Sequence, residues 1–237
     1  FQHRGTLHRI RVGLTHLLIL VVRVQRAAKR FVKYWNKRIE LFGEAAFLPL
    51  TMETMKKQGA QRPIEVGALQ IIPRNKSGDS EDERDLLYVD FSKLEPKSYT
   101  RQAGCRAFWY FFHAILEDEQ VQKKGIIAVS FSGNVSPRNR DPIFTKLCLS
   151  SLQGILPVRI SGLHATPPPA VYYIFVKIIL CFMGDRLRKR AIFHNNDAST
   201  VLESKYSMPR ICIPTEIGGD YKLDIRGWMQ QRLDAGL

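Results

Sequence analysis

The stretch Pro167–Arg190, PPPAVYYIFVKIILCFMGDRLRKR, decides how this chain is read. Three prolines lead into AVYYIFVKIILCFM, where Lys177 is the single charge; Gly184 and the basic run DRLRKR follow. A helix on the surface of a globular protein shows one apolar stripe and one polar face. This one is apolar all round. It covers about 14 residues, and a bilayer crossing takes about 20. Two readings fit. One is a wholly buried core helix followed by a solvated basic turn. The other is a lid over an apolar cavity, with one face toward a bound lipid and the other toward a membrane during exchange. In the second, Arg186, Arg188, Lys189 and Arg190 fall where anionic headgroups would lie. Proline suits the first turn of a helix, and Gly184 can take the positive φ that ends one.

Working outward, the pattern alternates. Leu86–Phe91 reads as a strand, Thr100–Lys124 as a long helix with Phe108, Phe112, Ile115 and Leu116 inward, and Ile126–Phe131 as a continuous apolar strand of the kind found inside parallel sheets. Asp141–Leu156 reads as a helix, Val158–Ala165 as a strand, Ala191–His194 as a strand and Ser199–Lys205 as a short helix. Strands alternating with helices imply βαβ units and a largely parallel sheet. Upstream, Gly67–Ile72 is a strand, and residues 74–85 form a polar acidic loop without the glycine-centred spacing of a calcium site. Residues 47–61 have room for a short helix. From Arg26 to Gly43, Ala27, Phe31, Tyr34 or Trp35, Ile39 and Phe42 recur at helical steps. Leu17–Val22 is an apolar run too short to span a membrane and followed by basic residues rather than a cleavage site. It reads as a helix. The opening Phe1 is expected of a fragment, a processed product or an incomplete reading frame.

The chain has 237 residues, 45% hydrophobic content and a formal net charge of +14. That charge favours nucleic acid, an anionic membrane or an acidic protein without choosing among them. Cys105, Cys148, Cys181 and Cys212 are widely spaced with no CxxC pair, which fits free thiols in a reducing compartment. There is no GxGxxG, no GxxxxGK[ST], no HExxH and no GxSxG, so the common nucleotide, zinc-protease and hydrolase routes lack their residues. His164, on a strand, reads as a satisfied core or edge histidine, and Glu117-Asp118-Glu119 as a solvated face. Phe31, Tyr34 and Trp35 interleaved with Lys and Arg could stack on single-stranded RNA. Their helical spacing points instead to a core.

The order strand, helix, strand, apolar helix, basic turn, strand, then IPTEIGG at Ile213–Gly219 resembles the CRAL-TRIO lipid-binding domain family, which includes retinaldehyde- and tocopherol-binding proteins and fungal phosphatidylinositol transfer proteins. Pro214, Glu216, Gly218 and Gly219 match its Leu-Pro-x-Glu-[Tyr/Phe]-Gly-Gly motif, with Ile217 in place of the aromatic. Leu156–Pro169 is similar to the family's strand and turn before its gate helix, Phe182–His194 to the segment after it, and Arg26–Gly43 to its N-terminal helical subdomain. Thr166 stands where the family often has Asn.

The resemblance implies an α/β fold with a mixed, largely parallel sheet flanked by helices. It implies an N-terminal helical subdomain over residues 1–60, a lipid-binding domain over 61–228 and a tail over 229–237. It also implies a cavity closed by the apolar helix. Moving an acyl chain of about 18 carbons through water costs on the order of 14 kcal/mol, which an enclosed cavity offsets. The expected lining is Val129 and Phe131 on the central strand, with Val171, Ile174, Phe175, Ile178 and Phe182 on the apolar helix. Arg186, Arg188 and Arg190 are the expected contacts to anionic headgroups, because alternate residues of a strand or turn share a side; Arg159 joins them by resemblance. The expected protein is a monomer, cytoplasmic and peripherally membrane-associated. It is not an enzyme, binds a phospholipid or isoprenoid-type lipid without metal or other cofactor, and docks on anionic membranes, phosphoinositide-bearing ones among them. The alternative is a basic RNA-binding α/β protein.

Overall fold

The computed structural model describes residues 24–73, 84–166, 173–194 and 197–237. The run Leu17–Val22, residues 74–83 of the acidic loop and Pro167–Pro169 fall outside them. The basic helix covers residues 24–42 (α1). Two short helices follow, Met52–Lys57 (α2) and Gln61–Glu65 (α3). Thr51 caps α2 by accepting from the Thr54 amide. Five strands then build one sheet: Leu69–Ile72 (β1), Leu86–Asp90 (β2), Ile126–Phe131 (β3), Ile160–Ala165 (β4) and Ala191–Phe193 (β5). Between them lie Arg101–Ile115 (α4), Glu119–Lys124 (α5), Pro142–Leu152 (α6), Tyr173–Phe182 (α7) and Asp185–Arg188 (α8), with Ala198–Tyr206 (α9) and Ile225–Asp234 (α10) after β5. The largely parallel sheet is what the alternating pattern implies, and the mixed sheet flanked by helices is what the family resemblance implies.

The sheet runs in chain order, β1 to β5. β1 pairs antiparallel with β2, and every later pair is parallel. Parallel crossovers are right-handed almost without exception. When successive strands also add on the same side, each crossover lands on the same face. That places α4, α6 and α7 together: α4 packs on α6, and α6 on α7. The other face is covered by α9 and the segment after it. There Leu202, Met208, Ile213 and Ile217 meet Leu86, Tyr88, Ile127 and Val129.

Two elements depart from the sequence reading. The helix expected over Thr100–Lys124 is two helices. Asp118 accepts from the Gln120 amide and starts α5 afresh. Gly125, at φ +88°, turns the chain into β3, where an added Cβ would sit 2.7 Å from the Arg159 carbonyl oxygen. The expected C-terminal tail is instead helical through Asp234. Trp228 stacks on Phe111 at 5.1 Å between ring centroids. Arg232 donates to both carboxylate oxygens of Glu117, at 2.5 and 2.8 Å, so Glu117 is tied down rather than merely solvated. The Leu237 carbonyl accepts from the Met52 amide at 2.8 Å, which fastens the end of the chain to α2.

The aromatic stripe of α1 also differs. Tyr34, Leu41 and Phe42 form its packed side. Tyr34 stacks on Trp109 at 5.3 Å and shares a 2.8 Å hydrogen bond with His113, and Leu41 and Phe42 are buried. Ala27, Phe31 and Ile39, expected inward, are exposed, and Trp35 is half-buried. Spacing identified the helix. It could not say which of two adjacent apolar faces meets the core.

Candidate functional site

A cavity of about 160 Å3 lies between the sheet and helices α4, α6 and α7. In this measure one water needs about 10–15 Å3, so the space exceeds what solvent alone requires. Its floor is β2, β3 and β4, through Leu87, Val89, Ala128, Ser130, Leu163 and Ala165. Phe108 and Phe112 of α4 and Phe144, Cys148 and Leu152 of α6 form the walls. Val176, Ile179 and Leu180 of α7, with Met183 directly after it, close it; their steps of three and four residues define one side of that helix. Small residues at the middle of the floor leave the room that larger ones would fill.

The chemistry of the lining is uniform. Among the described residues, no lining side chain carries a charge. Of the hydroxyls in the lining, those of Ser130, Thr145 and Thr166 are bonded to the backbone. Ser130 donates to the His164 carbonyl at 3.4 Å, Thr145 to the Asp141 carbonyl at 3.0 Å and Thr166 to the Ser130 carbonyl at 3.3 Å. A group bonded this way is a poor candidate for catalysis, which needs a base within reach and a site for developing charge. Burial pushes the Cys148 thiol well above its ordinary range. Cys105 and Cys212 are buried as well, while Cys181 is exposed, and all four are free. Among the described residues no cluster of His, Cys, Asp and Glu could hold a metal, and no helix is long and apolar enough to cross a membrane.

The structure places the expected lining residues differently. Val129 and Phe131 are on the opposite face of β3, in the apolar layer that includes Leu202, Met208 and Ile213. Side chains alternate along a strand, so the cavity face of β3 is Ala128 and Ser130. The strand is buried on both faces, and an apolar run carries no mark of which parity faces which layer. Phe182 does not line the space either; its ring lies 5.8 Å from the Lys146 ammonium on α6. Val171 and the side chains of Ile174, Phe175 and Ile178 lie outside the described residues. The register of β4 shifts between its pairings with Ile126 and Ile127. The shift puts Ile160 and Leu163, three apart, on the same face, and turns His164 to the other.

The basic segment is a helical turn rather than a strand, so alternate residues do not share a side. Leu187 points into the cavity, while Arg186, Arg188 and Lys189 are exposed. Arg188 donates to the Met183 carbonyl at 3.1 Å and pairs with Asp185 at 3.5 Å, capping the end of α7. Arg190 is half-buried and its guanidinium donates to the Ile160 carbonyl. Arg159, exposed, is the neighbour of Ile160, so both arginines fall at the same end of the sheet. Gly184 is extended, at φ −66° and ψ 155°, and caps α8. Its lack of a side chain serves a close approach instead, since a Cβ there would lie 3.3 Å from Gln153 Oε1. Gln153 in turn donates to the Phe182 carbonyl. The lower end of α7 is therefore held by Gln153 and Arg188 together.

Two features sit on the opposite face. The IPTEIGG segment is a tight loop in which the Gly219 amide donates to the Pro214 carbonyl at 3.0 Å and the Tyr221 amide to the Ile213 carbonyl at 2.9 Å. Gly218 has φ +92°, and a Cβ on Gly219 would fall 2.0 Å from the Ile213 carbonyl oxygen. Ile217, in the aromatic's place, is buried in the apolar layer of that face. The other feature is a histidine pair that sequence spacing could not reveal. His164 and His194 stack with ring centroids 5.1 Å apart and share a 2.8 Å hydrogen bond. His164 is fully buried and its Nε2 has no partner, so it is only half satisfied. Burial, then the His194 and Lys205 charges, push it down to about 4.

A singly wound sheet with an apolar cavity on one face, uncharged among its described lining residues, defines a class: an α/β domain with a site suited to an apolar ligand. The family model for the CRAL/TRIO domain matches residues 77–219, and the chain belongs to that family. Clavesin-2 of Rattus norvegicus is 24% identical over 155 residues, covering 64% of this chain and 46% of that protein. Clavesin-1 of Xenopus laevis is 27% identical over 117 residues, covering 48% of this chain and 34% of that protein. The matched region thus spans less than half the length of these relatives. The crystal structure of Sfh5 superposes with a TM-score of 0.50 at 11% identity, over 89% of this chain and 81% of that one, and shares the fold.

Proposed function

We propose that this chain binds one apolar lipid in the cavity between the sheet and α7, and carries or presents it at membranes without transforming it. One observation carries the reading: the described residues of the cavity wall include no charged side chain, and the hydroxyls of Ser130, Thr145 and Thr166 are bonded to the backbone. Such a wall can shelter a chain of methylenes, each gaining about 0.8 kcal/mol on leaving water. Its described residues include no carboxylate, histidine, lysine or arginine to act as acid or base. Family membership supports a lipid, of phospholipid or isoprenoid type, as the ligand.

In this reading α7 is the gate, and Ile174, Phe175 and Ile178 remain candidate gate residues beside Val176 and Ile179. Arg186, Arg188 and Lys189 meet anionic lipid headgroups, phosphoinositides among them, with Arg159 at the same end of the sheet. Arg190 serves mainly to fasten β4. The protein works as a monomer at the cytoplasmic surface of a membrane.

The test is lipid extraction and mass spectrometry of protein purified from cells. Ser130→Phe fills the floor and should cut co-purifying lipid at least tenfold while the protein stays folded. Ile179→Asp, which places a charge in the same space, should do likewise. Phe131→Leu, on the other face, should leave the lipid in place. A folded Ser130→Phe protein carrying undiminished lipid would overturn the cavity assignment.

A further inference from the structure

We propose that α1 and the turn after it form a docking surface for an anionic lipid bilayer, separate from the cavity and its basic turn. Val24, Ala28, Phe31, Val32, Trp35 and Ile39 recur at helical steps along one side of α1. Among the described residues that side is open: Phe31 is 64% exposed, Val24 65% and Val32 56%. The apolar surface continues past the helix. Trp35 stands edge-on to Phe31 at 6.2 Å and stacks on Phe47 at 5.2 Å. Phe47 is 70% exposed, and Leu48 beside it is exposed too. Three rings in contact, two of them open to solvent, make a rigid contiguous patch of the kind that marks an interaction site.

The charge on the same helix selects the occupant. Residues 24–39 contain Arg26, Lys29, Arg30, Lys33, Lys37 and Arg38 and no acid. Arg26, Lys29, Arg30 and Lys33 are exposed and form no ion pair among the described residues. They lie across the helix from the apolar stripe. An apolar side bearing Trp and Phe, backed by a side rich in Lys and Arg, is the make-up of a helix that lies in the plane of a membrane interface. Single-stranded RNA would use the rings and the cations but leave Val24, Val32, Ile39 and Leu48 without a partner. A protein partner would bury the apolar stripe without needing the four cations. An anionic bilayer satisfies both.

The surface does not depend on the cavity reading: vesicle binding through it is expected whether or not a lipid occupies the cavity. The test uses the full chain with vesicles of phosphatidylcholine and phosphatidylserine. Neutralising Arg26, Lys29, Arg30 and Lys33 to Gln should weaken binding on the order of a thousandfold at low salt, at about tenfold per 1.4 kcal/mol and about 1 kcal/mol per cation. Phe31→Ser with Phe47→Ser should weaken it by tenfold or more with little change in melting temperature, since both rings are exposed. Brominated phosphatidylcholine should quench the part of the fluorescence that Trp35→Phe removes. Vesicle binding unaltered by both sets of changes would overturn the proposal. So would a salt-sensitive shift of single-stranded RNA without vesicle binding, or a dimer that the two Phe changes dissociate. Loss of co-purifying lipid in the Ser130→Phe protein, with vesicle binding intact, tests the cavity alone.

Discussion

Acidification should loosen the fold through one buried histidine, and the size of the effect follows from its surroundings. His164 is fully buried on β4 against His194, with Tyr206 edge-on at 4.6 Å and Lys205 nearby on α9. Burial and the neighbouring charges hold it at about 4, against 6.5 in the unfolded chain. The folded value is depressed, so below about pH 6.5 the unfolded state takes up a proton that the folded state refuses. Stability then falls as pH falls, from about 6.5 down to about 4, and this contribution levels off below that. Linkage gives a loss of about 2 kcal/mol between pH 7.5 and 5. For a chain of this size that lowers the melting temperature by about 4–8 °C. His194 and His113 are also lowered, chiefly by burial, and act in the same direction. Carboxylates such as Asp141, which is held low, act only at more acid pH. Urea titrations at half-unit steps between pH 7.5 and 5, on the parent and on His164→Leu, separate the contributions. The variant should start less stable, with at least half of the slope gone. A flat parent profile, or a variant with the parent's full slope, would refute the assignment.

Two further outcomes are expected. Gly219→Ala should destabilise the protein by several kcal/mol, because its Cβ would overlap the Ile213 carbonyl oxygen at 2.0 Å and the loop has no slack; thermal melts check this, and a change under about 1 kcal/mol would mean that the loop can shift. Gln153→Leu should free the Phe182 carbonyl and loosen the lower end of α7. Losing a hydrogen bond of about 1 kcal/mol should speed lipid exchange about fivefold and raise hydrogen exchange at the amides of Leu180–Gly184, while the middle of α7 keeps its protection.

Much of the frame was legible because each layer has its own period. The apolar run Ile126–Phe131 coincides with β3 residue for residue, and the all-apolar stretch before Gly184 is α7. Parity was not legible. On β3 every residue is buried or nearly so, and the distinction between Ala128 and Val129 is one of size rather than polarity. The small residues Ala128, Ser130 and Ala165 were the available signal. They are what a cavity floor requires, and attention to hydrophobicity passes over them. The tail escaped because IRGWMQQRLD is too polar to show a helical stripe; Trp228 and Met229 bury it through contacts over a hundred residues away. The histidine pair needed the β4–β5 register, which brings together residues 30 apart in sequence.

The cavity is best understood as a consequence of winding. With all crossovers on one face, α4, α6 and α7 must share a sheet only five strands wide. The last of them, α7, is laid over the small side chains of β3 and β4 rather than wedged among large ones. Sealed and dry, a space of about 160 Å3 free of side chains would cost on the order of 4 kcal/mol, at about 24 cal/mol per Å3. That is a large part of the 5–15 kcal/mol by which domains are stable. Ser130 or Ala165 replaced by a larger apolar residue would remove the cost, and the opposite face shows that this chain can pack tightly where Val129 and Ile127 meet Leu202 and Ile213. A space kept at that expense under α7, an apolar helix with Lys177 as its single charge, is intelligible if a ligand's methylenes recover the loss. Binding and stability are then coupled: each apolar ligand that enters should raise the melting temperature in proportion to the logarithm of its concentration over its dissociation constant.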